Sequence, residues 1–90
     1  MRSEIPPPSD ALPPLPPSAA PGLYRHYKGN LYEVIDTVRH SETLEALTLY
    51  RALYGERGLW VRPAAMFMET VEINGVTQPR FTRLGDAEKP

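Results

Sequence analysis

Eight of the eleven prolines in this chain fall within its first 22 residues, MRSEIPPPSDALPPLPPSAAPG. Proline locks φ and removes a backbone donor, so neither a helix nor a sheet ladder runs easily through such a stretch. Only Ile5, Leu12 and Leu15 stand there as sizeable apolar side chains, too few to offset the entropy of ordering the segment. The composition predicts a disordered, polyproline-II-like arm over residues 1–22 that is dispensable for folding. Pro13-Pro14-Leu15-Pro16 and Pro14-Leu15-Pro16-Pro17 have the P-x-x-P spacing of ligands for aromatic-lined grooves, although a solubilising arm is the preferred reading. The foldable part is then about residues 23–84, with 85–90 a short charged tail.

A domain of about 60 residues buries only about 60% of the surface its unfolded chain exposes, which is marginal but sufficient without a metal or disulfide. The chain has no cysteine, which removes both a disulfide framework and thiolate chemistry and suits a reducing cytoplasm. No apolar run approaches the roughly 20 residues of a membrane span, and the N-terminus lacks the apolar core of a signal peptide. A cytoplasmic protein with no membrane partner is expected. Residues 23–84 carry eight basic and seven acidic side chains, far from the strongly basic footprint of a dedicated nucleic-acid binder.

The core is concentrated in Tyr50–Phe67, YRALYGERGLWVRPAAMF, which holds the sole tryptophan and half of the aromatic residues. Gly55 and Gly58 bracket Glu56-Arg57 in a predicted tight turn. Leu59–Arg62 then has the composition of a strand, and alternation puts Leu59 and Val61 on one face, Trp60 and Arg62 on the other. Two assignments are open: Leu59 and Val61 inward with Trp60 exposed, or Trp60 as the core residue. Pro63 ends the strand, and Ala64–Phe67 is long enough for one helical turn.

Upstream, Leu31–Val38 alternates as a strand, with Tyr32, Val34 and Val38 sharing one parity and a bulge expected near Ile35-Asp36. His40–Tyr54 is ambiguous. Ser41 can cap a helix that places Leu44, Leu47, Tyr50 and Tyr54 on one face, or Ser41–Glu45 can be a turn leading into a strand. Downstream, Asn74-Gly75 is the strongest hairpin signal, and Phe81 is the last core candidate.

Several motifs in a fixed order then resemble a known family. Tyr24-Arg25-His26 with Lys28-Gly29-Asn30, His40-Ser41-Glu42-Thr43, Tyr50–Gly55, Gly58–Pro63, Met66-Phe67 and Pro79-Arg80-Phe81 are similar to the small bacterial family of unknown function numbered sixteen fifty-three. The resemblance spans about residues 23–81 and leaves the proline-rich arm outside it. It implies a mostly β, small SH3-like barrel and no established activity. It also resolves His40–Tyr54 in favour of turn and strand. The expected elements are strands near 31–39, 47–54 and 58–62, a hairpin over 68–77, and one short helical turn at 64–67.

Catalytic constellations are poorly supported. The histidines are His26 and His40 alone. His40 and Ser41 are neighbours whose side chains diverge in extended backbone, and Asp36 lies four strand steps from His40, about 13 Å. A turn-stabilising role for His40–Thr43 is preferred. No compact metal-ligand spacing occurs, and Gly55 and Gly58 precede a strand where a phosphate loop precedes a helix. The expectation is a protein that is not an enzyme and needs no cofactor or metal.

Binding is the better use of these residues, because aromatics with arginine are the usual anchors of interfaces. Tyr50, Arg51, Tyr54, Trp60, Arg62 and His40 are the candidate binding residues. A protein or peptide partner is preferred. The alternative is a nucleic-acid-binding small barrel in which tyrosine and tryptophan stack bases while Arg39, Arg51 and Arg62 meet phosphates.

Overall fold

The computed structural model describes residues 12–87. The first half of the predicted disordered arm and the last three residues of the tail lie outside them. The described residues form seven strands and one short helix, in the order β1 (Gly22–His26), β2 (Leu31–Arg39), β3 (Ala46–Ala52), β4 (Leu59–Pro63), α1 (Ala64–Phe67), β5 (Thr70–Ile73), β6 (Val76–Pro79) and β7 (Phe81–Gly85). Five of the strands make one antiparallel sheet in the order β4-β3-β2-β1-β7, and β5 pairs with β6 in a separate hairpin. The fold is mostly β. The ladder does not close on itself, since β4 and β7 are the two edges of the larger sheet among the described residues.

His40–Tyr54 is turn and strand. Thr48, Leu49 and Tyr50 pair with β2 on one side and β4 on the other, and two ladders outweigh the helical propensity of the segment. The bulge sits between Val34 and Asp36. It shifts the parity of β2, so Thr37 pairs with the buried Thr48 while Val38 pairs with Leu47 on the other face, against the single parity expected for Tyr32, Val34 and Val38. Asn74 and Gly75 both take positive φ, 52° and 79°, as a two-residue hairpin turn requires.

Strands β1 and β7 were not anticipated. Each is five residues long, and they pair with each other across more than fifty intervening residues. Neither has a periodic apolar signature. Gly85, assigned from sequence to the tail, belongs to β7.

The core lies on one face of the sheet. Along β3 the even residues Ala46, Thr48, Tyr50 and Ala52 are buried, and Tyr24 and Val34 face the same side. Further along the chain, α1 supplies Phe67, whose ring lies parallel to that of Phe81 with centroids 4.0 Å apart. Tyr24, Val34, Tyr50, Phe67 and Phe81 form one cluster with Ala19, and Tyr32 packs against it. Thr48 is fully buried, and its hydroxyl has no hydrogen-bond partner among the described residues.

Ala19, assigned from sequence to the arm, belongs to the core cluster. Within the segment expected to pack on nothing, its methyl group is buried, the Tyr24 hydroxyl donates to the Ala20 carbonyl at 2.7 Å, and Arg83 Nη2 donates to the Pro21 carbonyl at 2.9 Å. Leu12 and Leu15 are exposed, so what packs is the short run from Ala19 onward. The apolar residues 12–22 do not have to cover a core of their own, because Tyr24, Phe67 and Phe81 already make one for Ala19 to close. A chain beginning at Leu23 should therefore be less stable than one beginning at Pro17. Loss of the hydrogen bonds to the Ala20 and Pro21 carbonyls and a newly wetted edge of the core amount to about 2 kcal/mol. For a domain this small that is a fall in Tm of about 8–16 °C by calorimetry or circular dichroism. Equal midpoints for the two chains would show that the Ala19 packing contributes nothing.

Candidate binding site

The aromatic residues meet at the open edge of the core. Residues paired directly across an antiparallel ladder project to the same face, and Tyr50 is opposite Trp60 while Tyr32 is opposite Ala52. All four therefore project to the core side of the sheet. Tyr50 is 7% exposed and Trp60 59%, so the face grades from core to solvent across one strand spacing.

The turn after β3 completes the arrangement. Gly55 and Arg57 take positive φ of 58° and 57°, the Arg57 amide donates to the Tyr54 carbonyl at 3.0 Å, and the Ala52 amide donates to the Gly58 carbonyl at 3.1 Å. This reversal brings Tyr54 back beside Tyr32, with hydroxyls 2.7 Å apart and ring planes at 84°. Tyr32 also stands edge-on to Tyr50, at 72° and 5.6 Å between centroids. Gly58 lies against the indole, whose Nε1 is 3.6 Å from where a Cβ at that position would be, an ordinary van der Waals distance. The result is a cleft of about 410 Å³ lined by Tyr32, Tyr50, Ala52, Tyr54, Trp60 and the turn Gly55–Gly58.

Three of the six residues singled out from sequence, Tyr50, Tyr54 and Trp60, line this cleft. Arg62 shares the face of Trp60 and pairs with Thr48, but it lies outside the cleft, and its Nε is buried without a partner among the described residues. Arg51 projects from the opposite face of β3, where its Nη1 donates to the Arg57 carbonyl at 2.9 Å and braces the turn. His40 belongs to the β2–β3 turn. Its Nδ1 accepts the Glu42 amide at 3.1 Å and its carbonyl accepts the Leu44 amide at 2.8 Å, the turn-stabilising role expected of it.

Neither assignment of β4 holds. Leu59 and Val61 are 52% and 54% exposed, as open to solvent as Trp60. Alternation separates the two faces correctly. However, β4 is an edge strand, with no second layer over Leu59 and Val61 among the described residues, and Trp60 stands beyond the margin of the core on the other face. Tyr32 is the aromatic residue of the cleft that sequence reasoning did not single out as a binding residue. Its strand and parity were readable, but its pairing with Ala52 was not.

Burial raises the Tyr32 phenol, reinforced by its hydrogen bond with Tyr54 and by the neighbouring Tyr54 and Tyr50 phenols, to about 12. Burial also raises Tyr24. In the unfolded chain a tyrosine titrates near 10, so between about pH 10 and 12 the unfolded state releases protons that the native state keeps. The contribution of Tyr32 to stability is thus complete below pH 10 and disappears as pH rises through 12. A Tyr32→Phe variant should show a shallower loss of stability over that window, followed by denaturant melts. Identical slopes for the two proteins would contradict this placement of the hydroxyl. His26 is shifted the other way, by burial and by the charges of Arg80, Lys28 and Arg62. Its Nδ1 accepts the Lys28 amide at 3.1 Å and its ring packs on Phe81.

No three of the histidine, aspartate and glutamate side chains converge on a common point among the described residues. No helix among them is long and apolar enough to cross a membrane.

Fold and site together define a small, mostly β domain with an aromatic cleft at one sheet edge. The chain belongs to the family described as protein of unknown function (DUF1653), whose model matches residues 22–83. It is also similar to a crystal structure of a DUF1653 protein from Bordetella bronchiseptica, at 35% identity over 80% of this chain and 95% of that one, with a TM-score of 0.70. No curated protein matches the chain. The family match begins at Gly22, where β1 begins.

Proposed function

We propose that this domain is a small SH3-like binding module of the cytoplasm, without catalytic activity, that docks an extended peptide segment of a partner protein in the Tyr32–Trp60 cleft. The observation that carries this reading is the convergence of Tyr32, Tyr50, Tyr54 and Trp60 on one open cleft, with a rim tryptophan left 59% exposed. An exposed indole in so small a domain costs apolar contact with water unless something covers it, and rigid aromatic walls bind extended proline-containing chains at low entropic cost. The strand order β7-β1-β2-β3-β4, with a single helical turn following β4, suits the SH3-like part of the reading. The nucleic-acid alternative has less behind it, because Arg51 is engaged on the turn and Arg62 stands outside the cleft.

An array of proline-containing peptides titrated against the protein, followed through the fluorescence of its sole tryptophan, tests the reading. Binding should be lost in Tyr54→Ala and in Trp60→Ala variants that retain the wild-type melt, the second followed through tyrosine ring resonances because it carries no tryptophan, and should change little with salt. A steep fall of affinity with salt for oligonucleotides, and no response to any peptide, would transfer the assignment to nucleic acid.

A further inference from the structure

We propose that the side chain this cleft is built to take is an arginine of the partner peptide, its guanidinium stacked among the tyrosine and tryptophan rings and hydrogen-bonded to the Tyr32–Tyr54 hydroxyl pair. The inference rests on the peptide-binding reading above and specifies its ligand.

The walls are aromatic faces set at steep angles to one another, 84° between Tyr32 and Tyr54 and 72° between Tyr32 and Tyr50. Ring faces carry partial negative charge, so a cation enclosed by several of them is attracted to each. A purely apolar slot would serve a proline or leucine equally well, but this one is not purely apolar. The Tyr32 and Tyr54 hydroxyls, 2.7 Å apart, use one proton in the bond between them, which leaves acceptor lone pairs on both oxygens. Glu56 borders the same cleft and forms no ion pair among the described residues. Acceptors with a carboxylate nearby favour a donor-rich cation, and flat rings favour a flat one. Guanidinium is both, and it is more weakly hydrated than an ammonium, so it enters an aromatic cleft at less cost than lysine.

One residue opposes the assignment. Arg57 also borders the cleft, but it equally borders a second one on the opposite face of the sheet, lined by Leu23, Leu31, Glu33, Leu53 and Ala87. Its charge should therefore weaken arginine binding without abolishing it.

Three peptides, acetyl-Pro-Pro-X-Pro-Pro-amide with X arginine, citrulline or norleucine, separate charge from shape. Citrulline keeps the flat head and most donors but is neutral, and norleucine keeps only the stem. Titration into the full chain, read by Trp60 fluorescence and by tyrosine ring shifts, should give an arginine peptide that binds roughly five- to thirtyfold tighter than the citrulline one. Glu56→Gln, on an exposed turn, should weaken the arginine peptide about two- to fivefold and leave norleucine unchanged. Arg57→Gln should tighten it. Equal affinities for the three peptides, or binding weakened by Arg57→Gln, would overturn the arginine assignment while the peptide-binding reading stood. The arginine assignment also falls, alone, if none of the three binds but other proline-containing sequences do. If no peptide binds at all, both fail.

Discussion

Replacing Phe67 with alanine is expected to leave the domain largely unfolded at room temperature. Phe67 is 1% exposed. It stacks on Phe81 at 4.0 Å, meets Tyr24 edge-on at 5.7 Å and tilts against Tyr50 at 5.4 Å. One ring on α1 therefore ties together residues from β1, β3 and β7. Phe→Ala in a packed core costs about 3–5 kcal/mol, since the lost transfer energy is joined by a cavity that such rings cannot collapse to fill. A domain of this size has roughly 3–10 kcal/mol in all. Loss of near-ultraviolet dichroism and of dispersed amide resonances is the expected readout. By contrast, Met66→Ala next to it changes a side chain 44% exposed and should keep the native spectrum. Similar melts for the two variants would mean that the four-ring cluster does not hold the fold together.

Gly22→Ala should be the most damaging of the glycine substitutions. Gly22 is buried at the start of β1 with φ at +148°, a conformation that side chains rarely adopt. A Cβ there would lie 2.6 Å from the Gly85 carbonyl oxygen and 2.8 Å from Arg83 Nη2. The carbonyl is backbone of β7 and cannot swing aside, and Arg83 is held by the Pro21 carbonyl and by Asp86, each at 2.9 Å. Strain in φ and forced separation of the β1–β7 ladder together cost on the order of 3 kcal/mol. That corresponds to a fall in Tm of about 12–24 °C. Gly75→Ala is the control, because Gly75 also has positive φ but nothing within 4 Å of its Cβ direction. It should cost about 1 kcal/mol. Comparable losses at the two positions would show that the close approach of β1 to β7 is not what requires glycine at 22.

Signals that depend on near neighbours in the chain could be read without coordinates. The Asn74-Gly75 turn, the bulge at Asp36, the reversal at Gly55–Gly58 and the helical turn after Pro63 each follow from φ preferences or side-chain alternation within a few residues. Residue types alone likewise singled out Tyr50, Tyr54 and Trp60, three aromatic side chains that line one cleft. Proline density in residues 1–22 set the domain to the C-terminal side, yet could not show that Ala19 closes the core, since burial of one methyl group depends on Tyr24, Phe67 and Phe81 arriving from three other segments. Strands β1 and β7 were invisible for the same reason: what makes them strands is a ladder between residues far apart in sequence, not a local pattern. Alternation along β4 separated Trp60 from Leu59 and Val61, but which side is covered depends on what stacks over an edge strand, and nothing does among the described residues. Tyr32 entered the cleft through register with Ala52, while Arg51, Arg62 and His40 left it through register and turn geometry. Register is set by packing of the whole sheet against Phe67 and Phe81, so it is decided only when the tertiary structure forms.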